Sequence, residues 1–326
     1  MIVPQYWAEA REQHRQQGKQ ITVRRFGWSE TSAQEAQANA ELRAKDALQR
    51  LISGEKLERR EPKVSYNGAD GIPIREEILA RHGETIITRN IYGAHCLNTP
   101  NVFFADIDFS ETTPPRIVLT GMGLGVVISA AVLFFLGYTL LKSALILCLI
   151  TAVSVRGTEA IHRSILKSQG GPEKAARLRV LKFLTKHPEW NFRIYRTPAG
   201  LRLLATHRTF DPEELAVYDC FNALGTDPMY SRMCRNQKCF RARVSPKPWR
   251  IGISGHIKPR PGVWPVKPER MAERQIWISK YEATASSFAS CRLIDTVGSG
   301  FSHPDVLAVQ ELHDRLSKAG SDLVIA

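Results

Sequence analysis

Residues 101–127 read NVFFADIDFSETTPPRIVLTGMGLGVV, and the reading of this stretch decides how the whole chain is organised. It begins as a core strand interrupted by two aspartates, Asp106 and Asp108. Within about ten residues it becomes the kind of sequence that suits a lipid bilayer. From residue 117 to residue 155 the only charge is Lys142. A membrane-crossing helix needs about 20 apolar residues, so this run is too long for one span and predicts two. We place them at 117–136 and 139–155, joined by a tight turn at Gly137-Tyr138. Lys142, near the start of the second span, can snorkel to the far interface. Gly121, Gly125 and Ser129 recur every four residues. Such a row of small side chains lets helices approach closely, within the hairpin or between copies of the chain.

An even number of spans returns the chain to the side it left. Arg116 precedes the apolar run, and Arg156, His162, Arg163 and Lys167 follow it, so both soluble parts are expected on the cytoplasmic side of a bacterial inner membrane. The expected organisation is an α/β (α+β) cytoplasmic domain interrupted by a two-helix transmembrane hairpin: residues 1–115, the hairpin at 116–156, and a basic part at 157–326 that shares a sheet with the first. In the first part KQITVRRFGWS, ETIITRNIY and NVFFADIDF read as strands. A helix lies between them, capped by Ser29 or Thr31 and closed by Gly54, with a turn at Asn67-Gly68. In the second part PEKAARLRVLKFLTKH reads as an amphipathic helix with Leu178, Leu181 and Phe183/Leu184 along one side. FRIYRTP and LRLLATH form a hairpin around Pro198-Ala199-Gly200. A further helix starts at Asp211-Pro212, a Pro/Gly-rich loop with short strands follows from Ser245 to Glu269, and a last helix begins at His303-Pro304.

The formal net charge is +13, and it is concentrated: residues 156–274 hold 24 Lys/Arg against 10 Asp/Glu. A basic block of this kind faces phosphates, in nucleic acid, nucleotide or lipid headgroups, or records the positive-inside bias of a membrane protein. Between Arg241 and Trp264 the cations are interleaved with Phe240, Trp249 and Trp264. That pattern fits single-stranded nucleic acid, anionic lipid, or a loop whose indoles pack on a sheet. The six cysteines are scattered, and the polar start MIVPQYWAEAREQHRQ has no secretory core, so free thiols in a reducing compartment are expected. Cys234 and Cys239, with four residues between them, are half of a zinc site, to which Cys220, His207 and Cys291 could add ligands, and free, partly buried thiols are the alternative.

Two carboxylates two apart on a strand share one face, and paired carboxylates suit a hard divalent ion. The order of elements around them resembles the archaeo-eukaryotic primase superfamily. FADIDF, residues 104–109, resembles its metal-binding strand, and RTPAGLR, residues 196–202, stands where its phosphate-binding hairpin would fall. Arg202 occupies the place of the family's histidine. The resemblance implies Mg²⁺ or Mn²⁺ on Asp106, Asp108 and Asp227, and nucleotide phosphates on Arg202, Arg243 and Lys247. The chain is also similar to uncharacterised bacterial transmembrane proteins, a resemblance that implies membrane insertion and no activity. Two functions are therefore expected. One is a membrane-held binding or interaction protein without catalysis. The other is a membrane-tethered, primase-like, metal-dependent nucleotide-binding or nucleotidyl-transfer domain.

Overall fold

The computed structural model describes residues 1, 3–16, 19–61, 72–109, 113, 115–136, 140–168 and 170–326, which form a mixed α/β fold with eight helices and three sheets. The expected turns at Asn67-Gly68 and Gly137-Tyr138 lie outside these residues. Strands β1 (Tyr6–Gln16) and β2 (Lys19–Ser29) make a long antiparallel hairpin, and α1 (Ala33–Ile52) packs on it. Next come β3 (Glu77–His82), β4 (Thr85–Arg89), β5 (His95–Thr99) and β6 (Phe104–Asp108). The apolar helices α2 (Pro115–Leu136) and α3 (Leu140–Ser168) follow, then α4 (Gly171–Leu184), β7 (Asn191–Thr197) and β8 (Gly200–Ala205). The chain ends with α5 (Leu215–Leu224), α6 (Pro228–Gln237), β9 (Phe240–Arg243), α7 (Met271–Ala285), β10 (Arg292–Gly298) and α8 (Pro304–Ser317).

Two four-stranded antiparallel sheets, ordered β10-β7-β8-β6 and β3-β4-β5-β9, carry the core. Each combines strands from both sides of the α2–α3 insertion, because β6 pairs with β8 and β5 pairs with β9. One apolar cluster joins them, with Phe103, Phe104, Ile107, Phe192, Leu203, Phe221 and Phe240 all at most 2% exposed. Burying each such side chain contributes about 1.5–3 kcal/mol relative to leaving it in water.

Helix α1 is capped by Ser32, whose hydroxyl accepts from the Glu35 N–H at 3.1 Å. The two residues expected as caps, Ser29 and Thr31, instead donate to the Glu35 carboxylate, so all three hydroxyls serve the same first turn. Ala36, Ala40, Ala44 and Ala47 are the buried residues of α1. Their smallness lets the helix backbone come so close to Gly27 that a Cβ there would lie 2.1 Å from the Ala40 nitrogen.

Helices α2 and α3 are long and apolar enough to cross a membrane, with mean hydropathy reaching 2.4 within Pro115–Phe135 and 1.7 within Lys142–Ile165. They pack on each other. Among the described residues of α2, Gly121, Gly125 and Ser129 are the three that are buried. A Cβ at Gly121 would meet Thr158 Oγ1 at 2.7 Å, and one at Gly125 would meet Thr151 Cα at 2.7 Å. Ser129 keeps its hydroxyl within α2 by donating to the Gly125 carbonyl at 2.7 Å. Helix α3 runs to Ser168, well past the expected end of the second span at residue 155; the stretch 156–168 has no proline to stop it, and Thr158 returns its hydroxyl to the Ser154 carbonyl at 2.7 Å.

Other expectations change in detail. Helix α4 buries Ala176, Val180, Phe183 and Leu184, whereas Leu178 and Leu181 face outward, 54% and 49% exposed. Helix α5 starts three residues later than expected, with Glu214 at its N-cap, because Asp211 makes a separate turn that accepts from the Glu213 N–H. The loop from Ser245 to Glu269 has 3-10 turns at Pro248–Ile251 and Pro268–Arg270 and no strand.

Candidate functional site

Strand β6 places Asp106 directly opposite Arg202 of β8, and β5 places Cys96 opposite Arg243 of β9. The edges of the two sheets therefore meet around a cavity of about 260 Å³ lined by Asn90, Tyr92, Cys96, Asp106, Asp108, Asp227, Tyr230, Arg241, Arg243 and Lys247. Five of the six residues singled out for metal or phosphate binding line it, although they span residues 106 to 247. The sixth, Arg202, does not.

Arg202 is 2% exposed and fully engaged. Its Nε and Nη2 donate to the two oxygens of Asp106 at 2.8 and 3.1 Å, and its Nη1 donates to the Arg243 carbonyl at 2.7 Å. The phosphate-binding role expected for it is thereby corrected: this guanidinium has no edge left for a ligand. Burial pushes the Asp106 carboxyl up, but the Arg202 guanidinium outweighs it and holds the group below the usual carboxylate range. Beneath the pair lie His313, whose Nδ1 is 3.0 Å from Asp314 Oδ1, and the thiol of Cys291, 4.0 Å from His313 Nε2. Both residues are fully buried, so this is an interior polar network and not an accessible nucleophile.

Asp108 has the opposite environment. Burial raises its carboxyl above the usual range, and the charges of Asp106 and Asp227 add to the rise. Asp227 accepts the Met229 N–H at 3.0 Å and so caps α6. The primase resemblance implies a metal held by these three acids, and the residues do not fit it. Both oxygens of Asp106 are taken by Arg202, and among the described residues no group of three or more His, Cys, Asp or Glu side chains could hold a metal ion.

The cationic wall is better made. Burial lowers Lys247 below the usual lysine value, and Arg243 and Arg250 repel it further. Burial also lowers Arg243, with Arg202 adding to the effect, and the buried Arg243 Nε has no hydrogen-bond partner among the described residues. A cation with a bare buried N–H and a lysine held under repulsion are both relieved by an anion. Arg241 is committed to Glu76, with its Nη2 at 2.7 and 2.6 Å from the two carboxylate oxygens.

Beside the mouth, Tyr92 makes edge contacts with Trp249 and His256 at centroid distances of 5.3 and 4.9 Å. Trp249 is 45% exposed, and the Lys247 ammonium lies 5.3 Å from its ring. The rest of the basic-aromatic segment is structural. Phe240 is in the core, and Trp264 packs against the Trp7–Phe26 cluster.

Cys234 and Cys239 sit in two different apolar clusters, and burial pushes the Cys239 thiol up to about 12. The zinc expectation is thus replaced by two protonated core thiols. Sequence reasoning missed Asn90, Tyr92, Cys96 and Tyr230 in the cavity. Their signal was weak, because β5 and α6 are short and only the pairing of β5 with β9 brings these residues to the site. Compared with known proteins, the chain matches no family model, no curated protein and no solved structure.

Proposed function

We propose that this protein is a membrane-anchored binding protein. In this reading α2 and α3 cross a bacterial inner membrane as a hairpin. The shared α/β domain lies on the cytoplasmic side, where its charged cavity takes a phosphate-bearing ligand of the nucleotide class. The observation that carries the ligand reading is the convergence of Arg243 and Lys247 on one cavity wall, with an unsatisfied buried guanidinium N–H and an exposed indole beside it. The cavity has room for a phosphate chain, and the Tyr92–Trp249 rings at its mouth offer a surface on which a base stacks. The role assigned is binding, with no catalytic step: the three aspartates line one cavity, but Asp106 is engaged by Arg202 and Asp227 caps α6. The anchoring reading is supported by the hydropathy of the two helices, their outward-facing apolar side chains, and the Arg116, Arg156, Arg163 and Lys167 flanks.

The test is equilibrium binding of a nucleoside triphosphate to the detergent-solubilised full chain in EDTA and low salt. Saturable binding is expected, weakened about tenfold by Lys247→Ala, which removes one charge-assisted hydrogen bond. Absence of binding to the parent protein would sink the ligand reading. It would favour the second reading, a membrane-held interaction domain in which the acids are structural. The Asp106–Arg202 pair and the capping role of Asp227 support that alternative.

A further inference from the structure

We propose that the outward face of α4 rests on the surface of an anionic lipid bilayer, with Leu178 and Leu181 entering the headgroup layer. This rests on the reading that α2 and α3 span the bilayer.

Helix α4 is apolar on two sides. Its inner side is held in the protein core by Ala176, Val180, Phe183 and Leu184. Its outer side exposes Lys174, Leu178, Leu181, Lys182, Thr185 and Lys186. Residues 174, 178, 181 and 185 lie above one another on a helix, and Lys182 and Lys186 flank that row. No carboxylate interrupts it. Glu173 is the single acid of α4, and it is turned to Arg196 and Arg177 at 2.9 and 3.7 Å. Exposed leucines scattered singly need no explanation. Two leucines in one row, bordered by ammonium groups, have the pattern of a helix lying in a headgroup plane.

Position supplies the second argument. Gly121 of α2 packs against Val155 and Thr158 of α3. The start of the apolar run of α2, at Ile117, therefore stands level with about residue 160 of α3, and the charged end of α3, with Arg163 and Lys167, emerges at that boundary. Helix α3 ends at Ser168, about 12 Å beyond it, and helix α4 begins at Gly171 after a left-handed turn at Gly170. Each lysine near an anionic surface contributes roughly 1 kcal/mol of attraction. An acidic protein would find the same charges, but it would have to compete with a bilayer already tethered there.

The test uses the full chain, with Cys148→Ser, reconstituted into vesicles with and without phosphatidylglycerol. A fluorophore is placed through Leu178→Cys, Val153→Cys in the apolar part of α3, or Leu42→Cys on α1. The other five cysteines are buried. Quenching is read with lipids carrying nitroxides at the headgroup or deep in the acyl chain. We expect the label at 178 to be quenched by the headgroup nitroxide. That quenching falls at least twofold without phosphatidylglycerol, or with Lys174→Glu and Lys182→Glu together. Deep quenching is expected at 153 and none at 42. Deep quenching at 153 with none at 178 would overturn the docking of α4 while leaving the spans intact. Absence of quenching at 153 would overturn the spanning reading and the docking together.

Discussion

Arg202 shows what a single residue does here. It is fully buried, whereas its partner Asp106 opens toward the cavity, so the two ends of the pair respond differently to change. Asp106→Asn leaves a guanidinium in the core with no counter-charge and is expected to destabilise the protein by about 3 kcal/mol, seen as a lower midpoint in urea unfolding. Removing both charges, as in Arg202→Met with Asp106→Leu, is expected to restore most of that loss. If the double variant were as unstable as the single one, the pair would not be the cause. Asp108 carries the pH dependence. Its carboxyl keeps a proton above the usual carboxylate range, so stability from this group falls as pH rises from that range through the raised value. Asp106 works the other way, its contribution being lost as pH falls. Sulfate does not change charge in this window, so its binding is expected to weaken as Asp108 ionises, and Asp108→Asn is expected to abolish that step. An unchanged profile in the variant would place the step on another group. The carboxylate pair was legible in the sequence as a pair on one strand face. That one member would be bound to Arg202 was not, because the partner lies 96 residues away and only strand register brings it opposite.

At the scale of elements, close approach governs both helical packings. Gly27→Ala is expected to cost about 3 kcal/mol, because the new methyl meets backbone atoms of α1 and no flexible side chain can yield. The check is the same urea midpoint, and a change below about 0.5 kcal/mol would show that α1 shifts freely on the hairpin. The small-residue row on α2 was legible because helical spacing alone puts residues 121, 125 and 129 on one side. The alternating pattern of β2 and the periodicity of α1 were equally direct. By contrast, β1 is too polar to announce itself, since half of YWAEAREQHRQ faces water. The outward leucines of α4 were misread because periodicity cannot choose between two apolar sides. The core chose the side that holds Phe183.

At the scale of the molecule, the apolar run was legible from composition and length, while the arrangement of the soluble part was not. Nothing local in β5 or β6 says that their partners are β9 and β8. The paired residues are 96 apart at Asp106–Arg202 and 145 apart at Leu97–Ala242, and such long-range contacts leave no periodic trace in a sequence. Orientation is testable at this scale. If α2 and α3 both cross, as proposed, the chain returns to its starting side, and reporters fused to either end of the full chain are expected in the cytoplasm. A reporter found outside at one end and inside at the other would mean that one of the two helices does not cross.

The sharing of sheets across the insertion also sets an order of events during synthesis. When β6 leaves the ribosome its neighbour β8 has not yet been translated, and the intervening chain is the apolar pair α2–α3. The nascent N-terminal half must wait with open strand edges until that pair and the strands beyond it have been made. If the pair inserts as proposed, insertion begins before β8 and β9 exist, and a chain held up at that step leaves β6 and β5 without the partners that close the cavity.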